Sequence, residues 1–137
     1  MAKKFYLDTS IWRDYFEDRK DNIKPLGEFA FRFLRYCAKN NFQILYSQLV
    51  VSELLKYYSA ERVKLIFSQC EKNLVEVFLS DNLKKEAFLL KSKYNVPIPD
   101  IAHALLAKEN NAILVSRDKH FEELDNIVQV RLPEELI

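Results

Sequence analysis

The chain of 137 residues contains a single glycine, Gly27, and that scarcity excludes several kinds of site at once. Phosphate-cradling loops and dinucleotide fingerprints need several glycines for tight turns and close backbone approach, which rules out a P-loop or a Rossmann cofactor site. Phosphate chemistry in this chain would need a cation instead. Cysteine is nearly as scarce. Cys37 and Cys70 lie in helix-like apolar segments, lack metal-ligand spacing and are too few to staple a secreted domain. They read as buried free thiols of a reducing compartment. No apolar run approaches the roughly 20 residues that span a bilayer, and Met1-Ala2-Lys3-Lys4 leads straight into a strand-like segment. A soluble, cytoplasmic protein with no membrane partner is therefore expected. Charge bias is missing too: Lys plus Arg number 21 against 20 Asp plus Glu, a net charge of +1. There is no global pull toward nucleic acid, and any such affinity must come from a local patch.

What is present is apolar: 49% of the residues are hydrophobic, enough for one well-buried core in a chain too short for two ordinary domains. Residues 1–137 are expected to form one domain. Short apolar runs at Lys3–Leu7, Phe42–Tyr46, Leu74–Leu79, Ala112–Val115 and Ile127–Val130 read as strands. Between them, helical periodicity covers Leu26–Asn40, Gln48–Tyr58, Ala60–Glu71, Asn82–Tyr94, Asp100–Asn110 and a short stretch at Lys119–Leu124. Strands alternating with helices predict a mostly parallel α/β sheet covered on both faces. Pro97 and Pro99 fit a loop that enters a helix at its permitted first turn.

In open α/β sheets, ligands bind beyond the carboxyl ends of the strands, and acidic residues stand where that rule expects chemistry. Asp8 closes the first strand, Asp118 follows the strand ending near Ser116, and Asp100 opens a helix after Pro99. Each has an ordinary explanation as well: a strand-end turn or helix cap for Asp8 and Asp118, and the favourable helix dipole for Asp100. Glu53 falls inside the apolar stripe of Leu49, Val50, Leu54 and Tyr57, where a carboxylate is costly unless paired or metal-bound. Its ordinary alternative is a surface pair with Lys56 or a stripe edge facing water. Converging carboxylates raise one another's pKa unless a cation neutralises them. Oxygen-only ligands with open positions suit Mg²⁺ or Mn²⁺, which can polarise a phosphate and activate water. Arg13, Lys56, Arg117 and Lys119 are the side chains near such a cleft that could meet phosphates.

Four blocks then match a known pattern. Phe5-Tyr6-Leu7-Asp8-Thr9-Ser10, Ser52-Glu53-Leu54, Pro99-Asp100-Ile101-Ala102-His103-Ala104-Leu105-Leu106-Ala107 and Leu114-Val115-Ser116-Arg117-Asp118-Lys119-His120-Phe121 resemble the motifs of the PIN-domain nucleases, across nearly the whole chain. The resemblance implies a three-layer α/β sandwich with strand order 3-2-1-4-5 and divalent-metal-dependent cleavage of single-stranded RNA. It makes Asp8, Glu53, Asp100 and Asp118 the acidic, metal-binding residues, with the Ser10 and Ser116 hydroxyls supporting them. Water attack would leave 5′-phosphate and 3′-hydroxyl ends. His120 departs from the pattern, standing where many members carry Asp or Asn. It could ligate weakly, contact a phosphate or point away.

Many small stand-alone members of that family are toxins of toxin–antitoxin pairs and others process RNA, so an antitoxin and a second copy of the chain are the partners implied. The helix Leu26–Tyr36, with Phe29, Phe31, Phe33 and Tyr36, carries apolar groups on more than one face, for core packing or for such a partner. A haloacid-dehalogenase phosphatase would need a second Asp where Ser10 stands. A receiver module would want adjacent acids after the first strand and an acceptor Asp after the middle one. The remaining alternative is a catalytically silent PIN-like RNA-binding or scaffold protein, against which the complete acidic set argues.

Overall fold

Three side chains of the first strand, β1 (Lys4–Leu7), are buried essentially completely, as expected of a strand with neighbours on both edges and cover on both faces. The computed structural model describes residues 3–137. In it β1 pairs with β2 (Gln43–Tyr46) on one side and β4 (Ile113–Val115) on the other. Beyond them lie β3 (Leu74–Glu76) and β5 (Val130–Arg131). The order is β3-β2-β1-β4-β5 and every pairing is parallel. All carboxyl ends therefore open on the same edge of the sheet.

Among the described residues six α-helices flank it: α1 (Thr9–Glu17), α2 (Leu26–Asn40), α3 (Gln48–Leu54), α4 (Ala60–Ser68), α5 (Asp81–Leu90) and α6 (Ile98–Glu109). Helix α6 buries every residue from Ile101 to Ala107. Its alanines let the backbone come close to the sheet. Helix α1 is absent from the sequence-based expectation, although Ile11, Trp12, Tyr15 and Phe16 have helical spacing. The structure buries Ile11 and Trp12 and packs Trp12 edge-on against Phe67 at 4.9 Å.

Other boundaries also shift. The helix expected over Gln48–Tyr58 stops at Leu54, because Lys56 and Tyr57 donate to the carbonyls of Glu53 and Leu54 in tight turns. Tyr57 consequently leaves the apolar stripe and is 57% exposed. The last strand begins at Val130 rather than Ile127, since the amides of Ile127 and Val128 both turn back to Leu124 O. Cys37 and Cys70 are buried free thiols whose pKa burial pushes up to about 12, so they remain protonated and inert.

The lone glycine does not serve a left-handed turn. Asp18, Asn22, Asn41 and Asn111 take the positive-φ positions, at φ 50, 55, 57 and 54°. They are the residue types that tolerate αL best after glycine. Gly27 instead lets the start of α2 touch the end of α1. Its amide donates to Arg19 O at 2.9 Å. A Cβ there would sit 2.4 Å from Asp18 Oδ1, 2.5 Å from Asp18 Cα and 2.8 Å from Asp14 O. Two of those three atoms are backbone and cannot swing aside. Overpacking of this kind costs about 1–3 kcal/mol, more than the roughly 1 kcal/mol that alanine contributes through helix propensity. Gly27→Ala should therefore lower the urea midpoint, with a net destabilisation of up to about 2 kcal/mol. An unchanged or raised midpoint would show that α1 and α2 can separate freely.

Candidate functional site

The amide of Asp8 continues the central ladder, donating to Val115 O at 3.0 Å. This fixes the residue at the carboxyl end of β1. Its side chain, only 6% exposed, precedes α1 without capping it. Oδ2 accepts instead from Ser10 Oγ at 2.8 Å and Ser116 Oγ at 2.9 Å. Ser116 Oγ in turn accepts the Asp118 amide at 3.0 Å. Oδ1 has no protein donor among the described residues.

Glu53 lies on α3, its side chain 26% exposed. Oε1 accepts from Thr9 Oγ1 at 2.5 Å and from His103 Nε2 at 3.0 Å. Burial works to raise its pKa, but the His103 bond and charge, with Thr9, hold it below the ordinary glutamate value. An ionised carboxylate has no proton to give, so His103 Nε2 carries the hydrogen. His103 is wholly buried, and burial opposes its charge; the bond to Glu53 and the fields of Glu53, Asp8 and Asp100 nonetheless raise its pKa. Its Nδ1 lies 2.7 Å from Tyr6 Oη, which lies 2.7 Å from Ser47 Oγ. Burial pushes the Tyr6 phenol far above its ordinary value, keeping it neutral.

Asp100 sits in the first turn of α6, where the helix dipole favours an anion. Burial raises its pKa, the charges of Asp118 and Asp8 add to this, and a hydrogen bond with His120 opposes it. That bond joins His120 Nδ1 to Asp100 Oδ2 at 2.9 Å, with Asp118 Oδ1 3.5 Å from the same nitrogen. His120 thus faces the site and bridges two carboxylates, and the Asp100 bond and the Asp118 charge raise its pKa. Asp118 also caps the 3₁₀ helix Lys119–Leu124, its Oδ1 accepting the His120 amide at 3.0 Å.

Two triads result. One ligand atom each from Asp8, Glu53 and His103 falls within 4.8 Å of the others, and the same holds for Asp100, Asp118 and His120. The carboxylates share a pattern: one oxygen is held by the protein, while Asp8 Oδ1, Glu53 Oε2, Asp100 Oδ1 and Asp118 Oδ2 accept no hydrogen bond from the described residues. None of the first three is among the sealed, unpartnered polar atoms, so they keep access to solvent, and Asp118 is itself exposed. Such a set of hard oxygen donors fits Mg²⁺ or Mn²⁺.

Sequence reasoning missed Tyr6, Thr9 and His103 as members of this network. The signals were spacing: His103 lies one helical turn after Asp100, and Tyr6 shares the strand face of Asp8. The four expected cations divide. Arg13 pairs with Glu17 at 3.2 Å and stacks 3.6 Å above the Tyr57 ring. Arg117 is bound through both terminal nitrogens to Glu134, at 2.9 and 2.5 Å, and its Nε lies 3.3 Å from buried Asp14. That committed guanidinium is not available to a phosphate. Lys56 and Lys119 are exposed and form no ion pair among the described residues. An open cavity of about 770 Å³ meets the site at Ser10 and Asp118 and is lined also by Lys20, Lys24 and Lys119.

Solved structures share this architecture. VapBC2 from Rickettsia felis, bound to a DNA fragment from its promoter, superposes with a TM-score of 0.70 at 18% identity, covering 94% of this chain and 98% of that one. A toxin–antitoxin complex from Klebsiella pneumoniae gives 0.64 at 19% identity, covering 97% and 98%. FitAcB from Neisseria gonorrhoeae gives 0.63 at 16%, covering 95% and 98%. At these identities the likeness is one of fold. No curated protein matches the sequence significantly. The family model of the PIN domain matches residues 5–127, and the chain belongs to the PIN domain family.

Proposed function

We propose that residues 1–137 form one nuclease domain that hydrolyses single-stranded RNA with the help of Mg²⁺ or Mn²⁺ held by Asp8, Glu53, Asp100 and Asp118. The observation that carries this is the shared pattern of the four carboxylates, each fixed through one oxygen while the other accepts no hydrogen bond from the described residues. When bound, a divalent cation supplies neutralising charge for the scissile phosphate and acidifies the attacking water. The protein's own part is orientation. Ser10 and Ser116 hold Asp8, Thr9 and His103 hold Glu53, and His120 links Asp100 to Asp118. Attack by water at phosphorus, with departure of the 3′ oxygen, leaves 5′-phosphate and 3′-hydroxyl ends.

Membership of the PIN family supports a nuclease, and the naming of the Klebsiella relative as a toxin–antitoxin complex favours a toxin neutralised by an antitoxin. Among the described residues no helix is long and apolar enough to cross a membrane; we place the activity in the cytoplasm, with its RNA substrate. A homodimer is the second partner proposed. Helix α2 offers little surface for either, since Phe33 is buried and Phe31 is 41% exposed and stacked on Tyr15. Phe78, Phe88 and Leu89, each at least 70% exposed, are better candidates.

Labelled single-stranded RNA incubated with the protein should be cleaved with Mn²⁺ or Mg²⁺ and left intact in EDTA. Asp8→Asn should lower the rate by at least about a hundredfold, the upper end for loss of an outer-shell partner. Equal cleavage in EDTA would overturn the proposal.

A stability experiment separates a cation site from a set of helix caps. The raised pKa of Asp100 means that its ionised form is costlier in the folded chain than in the unfolded one. In EDTA near neutral pH, Asp100→Asn should therefore melt at the parent temperature or above it. That advantage should shrink as the pH falls through the folded pKa of Asp100, because the parent carboxyl then protonates and the penalty disappears. A pure cap would instead lose roughly 0.5–2 kcal/mol. Thermal unfolding of both proteins across pH, with an Asp125→Asn control, decides the matter, and a lower melting temperature for Asp100→Asn at neutral pH would refute the site.

Of the four expected cations, Lys56 and Lys119 remain free for phosphates. Their joint replacement by alanine should reduce the log–log salt slope of RNA binding by about 1.4, at roughly 0.7 per contact on a single strand. An unchanged slope would remove both from the binding surface.

A further inference from the structure

We infer that His103 is a positioning residue for Glu53, and that Tyr6, backed by Ser47, holds the imidazole so that Nε2 always presents its hydrogen to Glu53 Oε1. The inference rests on the proposed cation site and adds residues that touch neither cation nor substrate.

The geometry leaves His103 little freedom. Its ring is fully buried, with Nε2 3.0 Å from Glu53 Oε1 and Nδ1 2.7 Å from Tyr6 Oη. Both ring nitrogens are thus used, and the Tyr6 hydroxyl is anchored by Ser47 Oγ at 2.7 Å. Nε2 donates to Glu53; with the imidazole neutral, Nδ1 then accepts from the Tyr6 hydroxyl, which leaves Tyr6 Oη to accept from Ser47. Thr9 adds a second donor to the same Oε1 at 2.5 Å. With two donors on Oε1, the rotation of the carboxylate is fixed and Oε2 is left without a donor among the described residues.

His103 also has a nitrogen within ligand range of Asp8 and Glu53, so a direct ligand role is the competing assignment. Hydrogen bonding separates the two. A ligating nitrogen needs its lone pair, whereas Nε2 spends its hydrogen on Glu53 and Nδ1 is engaged by Tyr6 Oη. Outer-shell partners of this kind typically contribute 10–100-fold to metal affinity.

Isosteric replacement provides the test. The side-chain amide of glutamine reaches the position of Nε2, and that of asparagine reaches Nδ1. Mn²⁺ affinity is read from the metal dependence of the melting temperature, with the melt in EDTA as a folding control. For a positioning role, His103→Gln stays within about threefold of the parent, while His103→Asn and Tyr6→Phe bind Mn²⁺ about 10–100-fold more weakly. Melting temperatures in EDTA do not follow that order. Equal Mn²⁺ affinity in all four proteins would overturn the inference. So would loss in His103→Gln as great as in His103→Asn, the result expected of a direct ligand, or losses that merely track stability in EDTA. A parent protein that shows no response to Mn²⁺ at all would instead remove the cation site, and the inference with it.

Discussion

A carboxylate largely buried at the end of the central strand is the constraint around which this molecule is arranged. Removing a carboxylate from water costs several kcal/mol unless donors or a cation compensate it, and Asp8 is only 6% exposed. Its donors come from two distant parts of the chain, Ser10 at the start of α1 and Ser116 after β4. Because Ser116 also receives the Asp118 amide, the same hydroxyl that steadies one carboxylate sets the backbone of another. The ion network of Arg117 with Asp14 and Glu134 ties that loop to α1 and to the last turn of the chain.

Capping and cation binding are rival explanations of an acidic residue when only the sequence is considered, but they are compatible once oxygens are counted separately. Asp118 caps its 3₁₀ helix through Oδ1 and keeps Oδ2 free. Asp100 gains from the helix dipole and still suffers from burial and from neighbouring charges. Asp8 stands at a cap position and does not cap.

The parallel sheet was legible in the alternation of short apolar runs with helical segments, and its strand order through the four-block resemblance. The acids at strand ends were legible because a sheet of this kind opens on one edge. Helix α1 was obscured by its position directly after the site residues, where Thr9 and Ser10 suggest a turn. The fate of Arg117 was not legible, since Asp14 and Glu134 lie on other elements and only folding brings them together. His103 was quoted as part of a motif, but nothing local says that its ring is enclosed between Tyr6 and Glu53. The scarcity of glycine correctly pointed away from phosphate loops. What it did not disclose was that asparagine and aspartate would take over the left-handed turns, leaving Gly27 for a helix crossing.

The two outer strands are very short, three residues in β3 and two in β5. Brief edges are a recognised defence against strand-on-strand aggregation, and here they have a further effect. A second protein that tried to extend the sheet would find at most a few backbone groups to pair with, so attachment by strand addition gains little. The helical surfaces, with their exposed Phe88 and Leu89, offer far more apolar area. The sheet is in this sense closed to growth, and association is directed to the layer around it.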